Sequence, residues 1–177
     1  MKRECGDCQL CCRLLAVRAL DKKAGERCQH QKFHKGCTVY KSAAMPPECR
    51  LWNCRWLVND DTGDLPRPDR SHYVVDIMPD FITIVDNETG DRRDIQVVQI
   101  WIDPAHPEAH RDPALRRYMM RRAEQGIAAL VRFEARKALM VFAPAFAPDG
   151  QWHEVFKAEP EAAHSFAEIV AAIGGAP

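Results

Sequence analysis

Cys5-Gly6-Asp7-Cys8-Gln9-Leu10-Cys11-Cys12 places four thiols in one short run near the N-terminus. How that run is read decides how the first third of the chain folds. Taken as small apolar side chains, these residues would seek a core; taken as thiolates, they would gather around a cation. Four more cysteines, Cys28, Cys37, Cys49 and Cys54, follow at wider gaps, and none occurs after residue 54. A Cys-x-x-Cys turn lets two sulfurs converge on one ion, and four thiolates satisfy zinc tetrahedrally or complete an iron–sulfur cluster. All eight, Cys5, Cys8, Cys11, Cys12, Cys28, Cys37, Cys49 and Cys54, are therefore read as metal ligands. The spacing leaves open one four-cysteine site with spare thiols, two such sites, or one larger polynuclear centre. In a helix, Cys5, Cys8 and Cys12 would share one face, and a helix is expected there.

The competing reading of an even cysteine count is a set of disulfides. The N-terminus, Met-Lys-Arg-Glu-Cys, has no apolar stretch behind it, and no apolar run approaches the ~20 residues that span a bilayer. The expected compartment is the cytosol, where thiols stay reduced and metal ligation prevails over disulfides. Adjacent Cys11 and Cys12 would also pair badly with each other. A hydrophobic fraction of 46% and a charged fraction of 28% are ordinary for a soluble globular protein, and a net charge of zero exerts no general pull toward nucleic acid or anionic membranes.

With 177 residues the chain fits one domain, or one domain with a compact appendage. A turn-rich, proline-bearing junction from Asp60 to Pro68 separates a Cys-rich metal-binding segment, residues 1–68, from a second part, residues 69–177, the two packed as one unit. Strands are expected at Tyr73 to Ile77, Phe81 to Val85, Ile95 to Ile102, Ile127 to Phe133 and Ala138 to Phe142, with a short edge strand from Gln151 to Lys157. Asp112-Pro113 opens a helix that runs to about Gln125 before Gly126, and a last helix is expected from Glu161 to Ile173. The fold class is α+β: a metal-stabilised N-terminal segment with short helices, then a mixed or antiparallel sheet with two helices. A further short helix is expected from Glu48 to Leu57, with Trp52 and Trp56 packing rather than reacting.

The run Cys5-x-x-Cys8-x-x-Cys11-Cys12 resembles the signature of the YkgJ-type cysteine-cluster family, described as zinc- or iron-chelating. Cys28, the segment Gly36-Cys37-Thr38-Val39-Tyr40, and Pro46-Pro47-Glu48-Cys49-Arg50-Leu51-Trp52-Asn53-Cys54-Arg55-Trp56-Leu57 follow the family's order, so the likeness spans residues 5 to 57. One departure is Met45, where the family has arginine. The resemblance implies a metal-binding cysteine-cluster protein. Through relatives similar to flagellin lysine N-methylases it also implies an alternative, an iron–sulfur-dependent or methyl-transferring enzyme. The sequence itself offers no phosphate loop, dinucleotide fingerprint or nucleophile elbow, and no recognisable methyl-donor pocket.

Zinc is expected ahead of an iron–sulfur cluster, since no proline follows a cysteine and small four-cysteine sites are commonly structural zinc. His30 and His34, between Cys28 and Cys37, are alternative imidazole ligands. Asp103, His106, Glu108 and His110 form a second polar cluster, read as a surface loop before a hard-metal site. Arg111, Arg116, Arg117, Arg121, Arg122, Arg132 and Arg136 form a basic stripe, read as a solvated face before a nucleic-acid surface. The expected partners are a metal ion and a protein bound on the α+β layer, with neither membrane nor nucleic acid.

Overall fold

The computed structural model describes residues 3–77, 80–85, 89–134 and 137–157. Its frame is a six-stranded mixed sheet built from β3 (Tyr73–Val75), β4 (Asp80–Val85), β5 (Arg92–Ile102), β6 (Ala128–Arg132), β7 (Ala138–Phe142) and β8 (His153–Lys157). The strand order is β3-β5-β6-β7-β8. Strands β3 and β4 lie end to end along one edge of the long β5, and β6 runs parallel to its other edge. A parallel pair needs a crossover, and the helix α5 (Pro113–Ala123) supplies it. The Asp112 carboxylate caps this helix, accepting the N–H of Ala114 at 2.7 Å and of Leu115 at 3.0 Å. Beyond its end, the Gly126 N–H donates to the Ala123 carbonyl at 2.9 Å.

The two faces of the sheet are covered differently. On one, Val98, Ile100 and Ile102 of β5 meet Leu115, Tyr118 and Met119 of α5. The opposite face divides along its length. Toward β7 it carries Val97, Leu130, Met140 and Phe142. Toward β3, Val74 and Trp101 face each other across the strand pair and receive Cys8, Leu10, Leu14 and Cys54 from the N-terminal segment. This segment also reaches round the β3 edge. Cys54 forms a β-bridge with Asp76. The Trp52 indole N–H donates to the Asp76 carboxylate at 2.7 Å, and the Trp56 indole N–H to the Leu65 carbonyl at 3.0 Å. Leu65 itself belongs to the core under α5, so the chain on either side of residue 68 shares one packing. Both tryptophans pack, as their spacing suggests.

The α+β class, the expected strands and the α5 helix all form. Two helical expectations are corrected. The helix expected across the first cysteines begins only at Leu10, as α1 (Leu10–Leu14), and Cys5 and Cys8 lie before it in a turn closed by Cys8 N–H to the Cys5 carbonyl at 3.0 Å. Gly6, with φ of 55°, takes the chain out of right-handed helix there. The helix expected from Glu48 to Leu57 is two, α2 (Pro47–Leu51) and α3 (Arg55–Val58), because Trp52 is extended and Cys54 is the N-cap of α3. A short helix α4 (Pro68–Ser71) and a two-stranded hairpin, β1 (Gln31–Lys32) with β2 (Gly36–Cys37), complete the elements. The helix expected from Glu161 to Ile173, like Arg136, lies outside the described residues. None of the described helices is long and apolar enough to cross a membrane.

Candidate metal centre

All eight cysteines line one cavity of about 120 Å³. Each is a free thiol. They come from five stretches of the chain, and hydrogen bonds and one close backbone contact bring those stretches together. The hairpin sits on the Cys5–Cys8 turn: the Gln9 amide donates to the Lys32 carbonyl at 2.6 Å, and the Gln31 amide returns a bond to the Gln9 carbonyl at 2.8 Å. Gly36, at φ of 76°, approaches so closely that a Cβ built on it would lie 2.3 Å from the Gly6 carbonyl oxygen. That contact carries Cys37 to Cys5. Around the opposite rim, the Glu48 carboxylate accepts the Ala19 N–H at 3.0 Å, tying α2 and Cys49 to the chain after α1. The side chain of Arg50 clamps the loop before α2 by donating to the carbonyls of Met45, at 2.9 Å, and Ala43. Met45, at the position where the resemblance expects arginine, lines the cavity.

The walls between the sulfurs are apolar: Leu15, Val17, Val39, Trp52 and Leu57. Burial among them disfavours charge on sulfur. It pushes the thiols of Cys5, Cys8, Cys49 and Cys54 up to about 11, neighbouring thiols adding to the effect. Cys37 is raised for the same reason. Cys11 and Cys12 move apart. The Cys11 thiol donates a hydrogen bond to the Cys12 sulfur, which with burial raises Cys11; that bond lowers Cys12 to about 7, helped by Lys22. The Lys22 ammonium is buried, with 6% relative exposure, and donates to the carbonyls of Arg13 at 3.2 Å, Leu15, and Lys23 at 3.0 Å. Glu48 Oε2 is buried against the same cavity and finds no hydrogen-bond donor among the described residues. The space is ringed by thiols and one carboxylate, with the Lys22 ammonium beside it, and deprotonating the thiols would leave it strongly negative unless a cation entered. This donor set fits a bound metal: soft thiolates select zinc, copper(I) or iron–sulfur clusters, and a cation would replace the protons that burial otherwise enforces.

The spacing of the sulfurs bears on which metal fits. Among the described residues, the one trio of His, Cys, Asp or Glu ligand atoms all within 4.8 Å of one another is His72, Asp103 and His106. No three cysteine sulfurs are that close, whereas one zinc ion draws its thiolates to within ~3.8 Å of each other. A cluster, with several irons between the thiolates, holds them wider apart.

The other expected residues are distributed as follows. His30 lines the cavity, while His34 is exposed beside Phe33 at the hairpin tip. Of the second polar cluster, Asp103 and His106 converge, Glu108 pairs with Arg111 at 3.1 Å, and His110 is buried with Nδ1 2.7 Å from the Pro107 carbonyl. The partner that sequence spacing did not indicate is His72, whose ring stacks on His106 at 3.5 Å between centroids. It reaches them because, at φ of 62°, it ends α4 in left-handed conformation, and its carbonyl accepts the Asp103 N–H at 2.8 Å. The Asp103 carboxylate is held by Arg13 from α1. Most of the basic stripe is neutralised. Arg116 pairs with Glu154, Arg121 with Asp64 at 2.8 Å, and Arg122 with Asp61. Arg132 lies over the Trp101 ring.

The chain matches no family model, no curated protein and no solved structure.

Proposed function

We propose that this chain is a thiolate metalloprotein whose Cys5, Cys8, Cys11, Cys12, Cys28, Cys37, Cys49 and Cys54 bind metal in a shared apolar cavity. The observation that carries the reading is the convergence of all eight free thiols, from five separate stretches of chain, on that one space. Eight unrelated buried thiols would not need to meet. No three of the sulfurs lie within 4.8 Å of one another, and this supports an iron–sulfur centre ahead of the mononuclear zinc that the sequence suggests first. When bound, an iron–sulfur centre supplies one-electron redox chemistry. The residues of this chain contribute apolar walls that exclude water, and charges, Lys22 foremost, that offset the negative sulfurs. The alternative of a methyl-transferring enzyme gains no support from this space. About 120 Å³ is far below the ~300–1,000 Å³ of pockets that hold drug-sized ligands.

Anaerobic purification followed by metal and acid-labile sulfide analysis tests the proposal. A brown protein absorbing near ~400 nm with iron and sulfide is expected. Stoichiometric zinc without sulfide would keep the metalloprotein reading and change the metal. Protein that holds no metal as isolated, and takes up none with iron and sulfide or with zinc under reducing conditions, would refute it.

A further inference from the structure

The eight sulfurs are not evenly mixed around the cavity. Their electrostatic neighbourhoods separate into two groups. Cys5 lies within reach of Cys54 and Cys8, Cys11 within reach of Cys5 and Cys54, and Cys54 within reach of Cys8. Cys49 feels Cys12, Cys28 and Cys37, and Cys37 feels Cys12 and Cys28. The groups adjoin where Cys5 senses Cys12 and Cys37, and where Cys11 bonds Cys12.

Three further features divide along the same line. In packing, Cys8, Cys11 and Cys54 press against Val74, Trp101 and Trp52 at the sheet, whereas Cys37 is carried by the hairpin, Cys28 by the chain just before it and Cys49 by α2, with Cys12 on α1 next to Cys11. In local geometry, Cys11 and Cys12 are consecutive residues of α1, so their side chains leave the helix ~100° apart, and their sulfurs touch where the two groups adjoin. In charge, Lys22 lies beside Cys28, Cys12 and Cys49, while Arg67 lies beside Cys5 and Arg3 beside Cys54. Tyr40 marks the same boundary, its phenol near Cys5, Cys54 and Cys11.

We propose that the thiolates form two four-sulfur metal centres, an inner one held by Cys5, Cys8, Cys11 and Cys54 against the sheet, and an outer one held by Cys12, Cys28, Cys37 and Cys49. The inference rests on the metalloprotein reading and divides its ligands. The two centres are joined through the single peptide bond between Cys11 and Cys12. Each has its own cationic neighbour, Lys22 for the outer and the Arg3 and Arg67 pair for the inner.

The test uses the full chain, loaded anaerobically with iron and sulfide. Wild type should hold two clusters, about eight irons per chain if both are cubanes. The double variants Cys8→Ala/Cys54→Ala and Cys28→Ala/Cys49→Ala should each keep about half of the wild-type metal, and the fourfold variant none. A double variant that stays folded by circular dichroism yet loses all its metal overturns the partition, as does one that loses none. Wild type that loads no metal overturns the metalloprotein reading instead. Because cysteine loss can unfold this segment, the reduced wild type is also read directly by electron paramagnetic resonance. Two clusters this close should broaden one another's signals, and a single unbroadened signal at full reduction overturns the proposal. If zinc is the metal found, the same variants should each retain half of it.

Discussion

Cys12 and Gly36 show how single residues set the chemistry of the cavity. Cys12 is the one thiol brought down to about 7, by the hydrogen bond from Cys11 and by Lys22, while Cys5, Cys8, Cys49 and Cys54 sit at about 11. The thiolate is the nucleophile. In chelator-stripped, reduced protein at pH 7.5 iodoacetamide should therefore label Cys12 first, as read by peptide mass spectrometry, and more slowly as pH falls below about 7. Preferential labelling of Cys49 would contradict the geometry. The raised thiols make a second prediction. A thiol with a folded pKa above its unfolded value of 9.0 favours the fold fully below that value and loses its contribution as pH rises toward about 11. Metal-free protein should thus melt at a lower temperature at pH 10.5 than at pH 8. Gly36 acts through the backbone instead. Gly36→Ala meets the strain of a left-handed φ, ~1–2 kcal/mol, and also the 2.3 Å approach to the Gly6 carbonyl. Gly90 has φ of 73° with open space around it. Gly36→Ala should reduce metal content sharply and Gly90→Ala should not. Equal effects would mean that backbone strain alone matters. Which sulfurs would meet was not legible in the sequence, because Cys-x-x-Cys spacing fixes neighbours within a turn and says nothing of the contact that brings Gly36 onto Gly6.

At the scale of elements, legibility followed the strength of local signals. Helix α5 was readable at both ends because Asp112, Pro113 and Gly126 each act within their own turn. Its cap can be measured: Asp112→Ala removes the acceptor for two N–H groups and should cost about 1 kcal/mol of stability, read as a lower urea midpoint with unchanged metal content. The strand at Ala138–Phe142 was readable for the opposite reason, as a short unbroken apolar run that is buried on both faces. The cysteine helices were not. Heptad-like spacing from Cys5 to Cys12 fitted a helix, but Gly6 turns the chain and shortens α1. Trp52 and Trp56 fitted i and i+4, yet each has its own hydrogen-bond acceptor, Asp76 and Leu65, and the helix breaks between them. A glycine turn overrode local period in the first case and long-range partners in the second. The His72 contact with Asp103 and His106 was illegible for a related reason: it depends on the end of α4 meeting the end of β5.

Across the whole molecule, the Cys-rich segment and the sheet share their interior. Trp56 packs in the core under α5 and also in the cluster that contains Cys8 and Cys54. Trp56→Ala should therefore cost about 3 kcal/mol. It should lower the temperature of metal release and that of sheet unfolding together, followed in one melt by absorbance and circular dichroism. Separate shifts would show that the two parts unfold independently. The α+β class was readable because six strands and α5 carry their own patterns. The way the first sixty residues cover one end of the sheet was not, since that depends on Val74 and Trp101 receiving side chains from far upstream.

The surface that Val74 and Trp101 offer has a consequence for biosynthesis. Every cysteine leaves the ribosome before the first strand of the six-stranded sheet, while Trp101 follows the last of them by some fifty residues. A nascent chain can thus collect its ligands early but cannot shelter the inner ones until translation has passed β5. On the proposed metalloprotein reading, metal captured sooner would sit in water on its sheet side, which ties protected insertion to a late stage of synthesis.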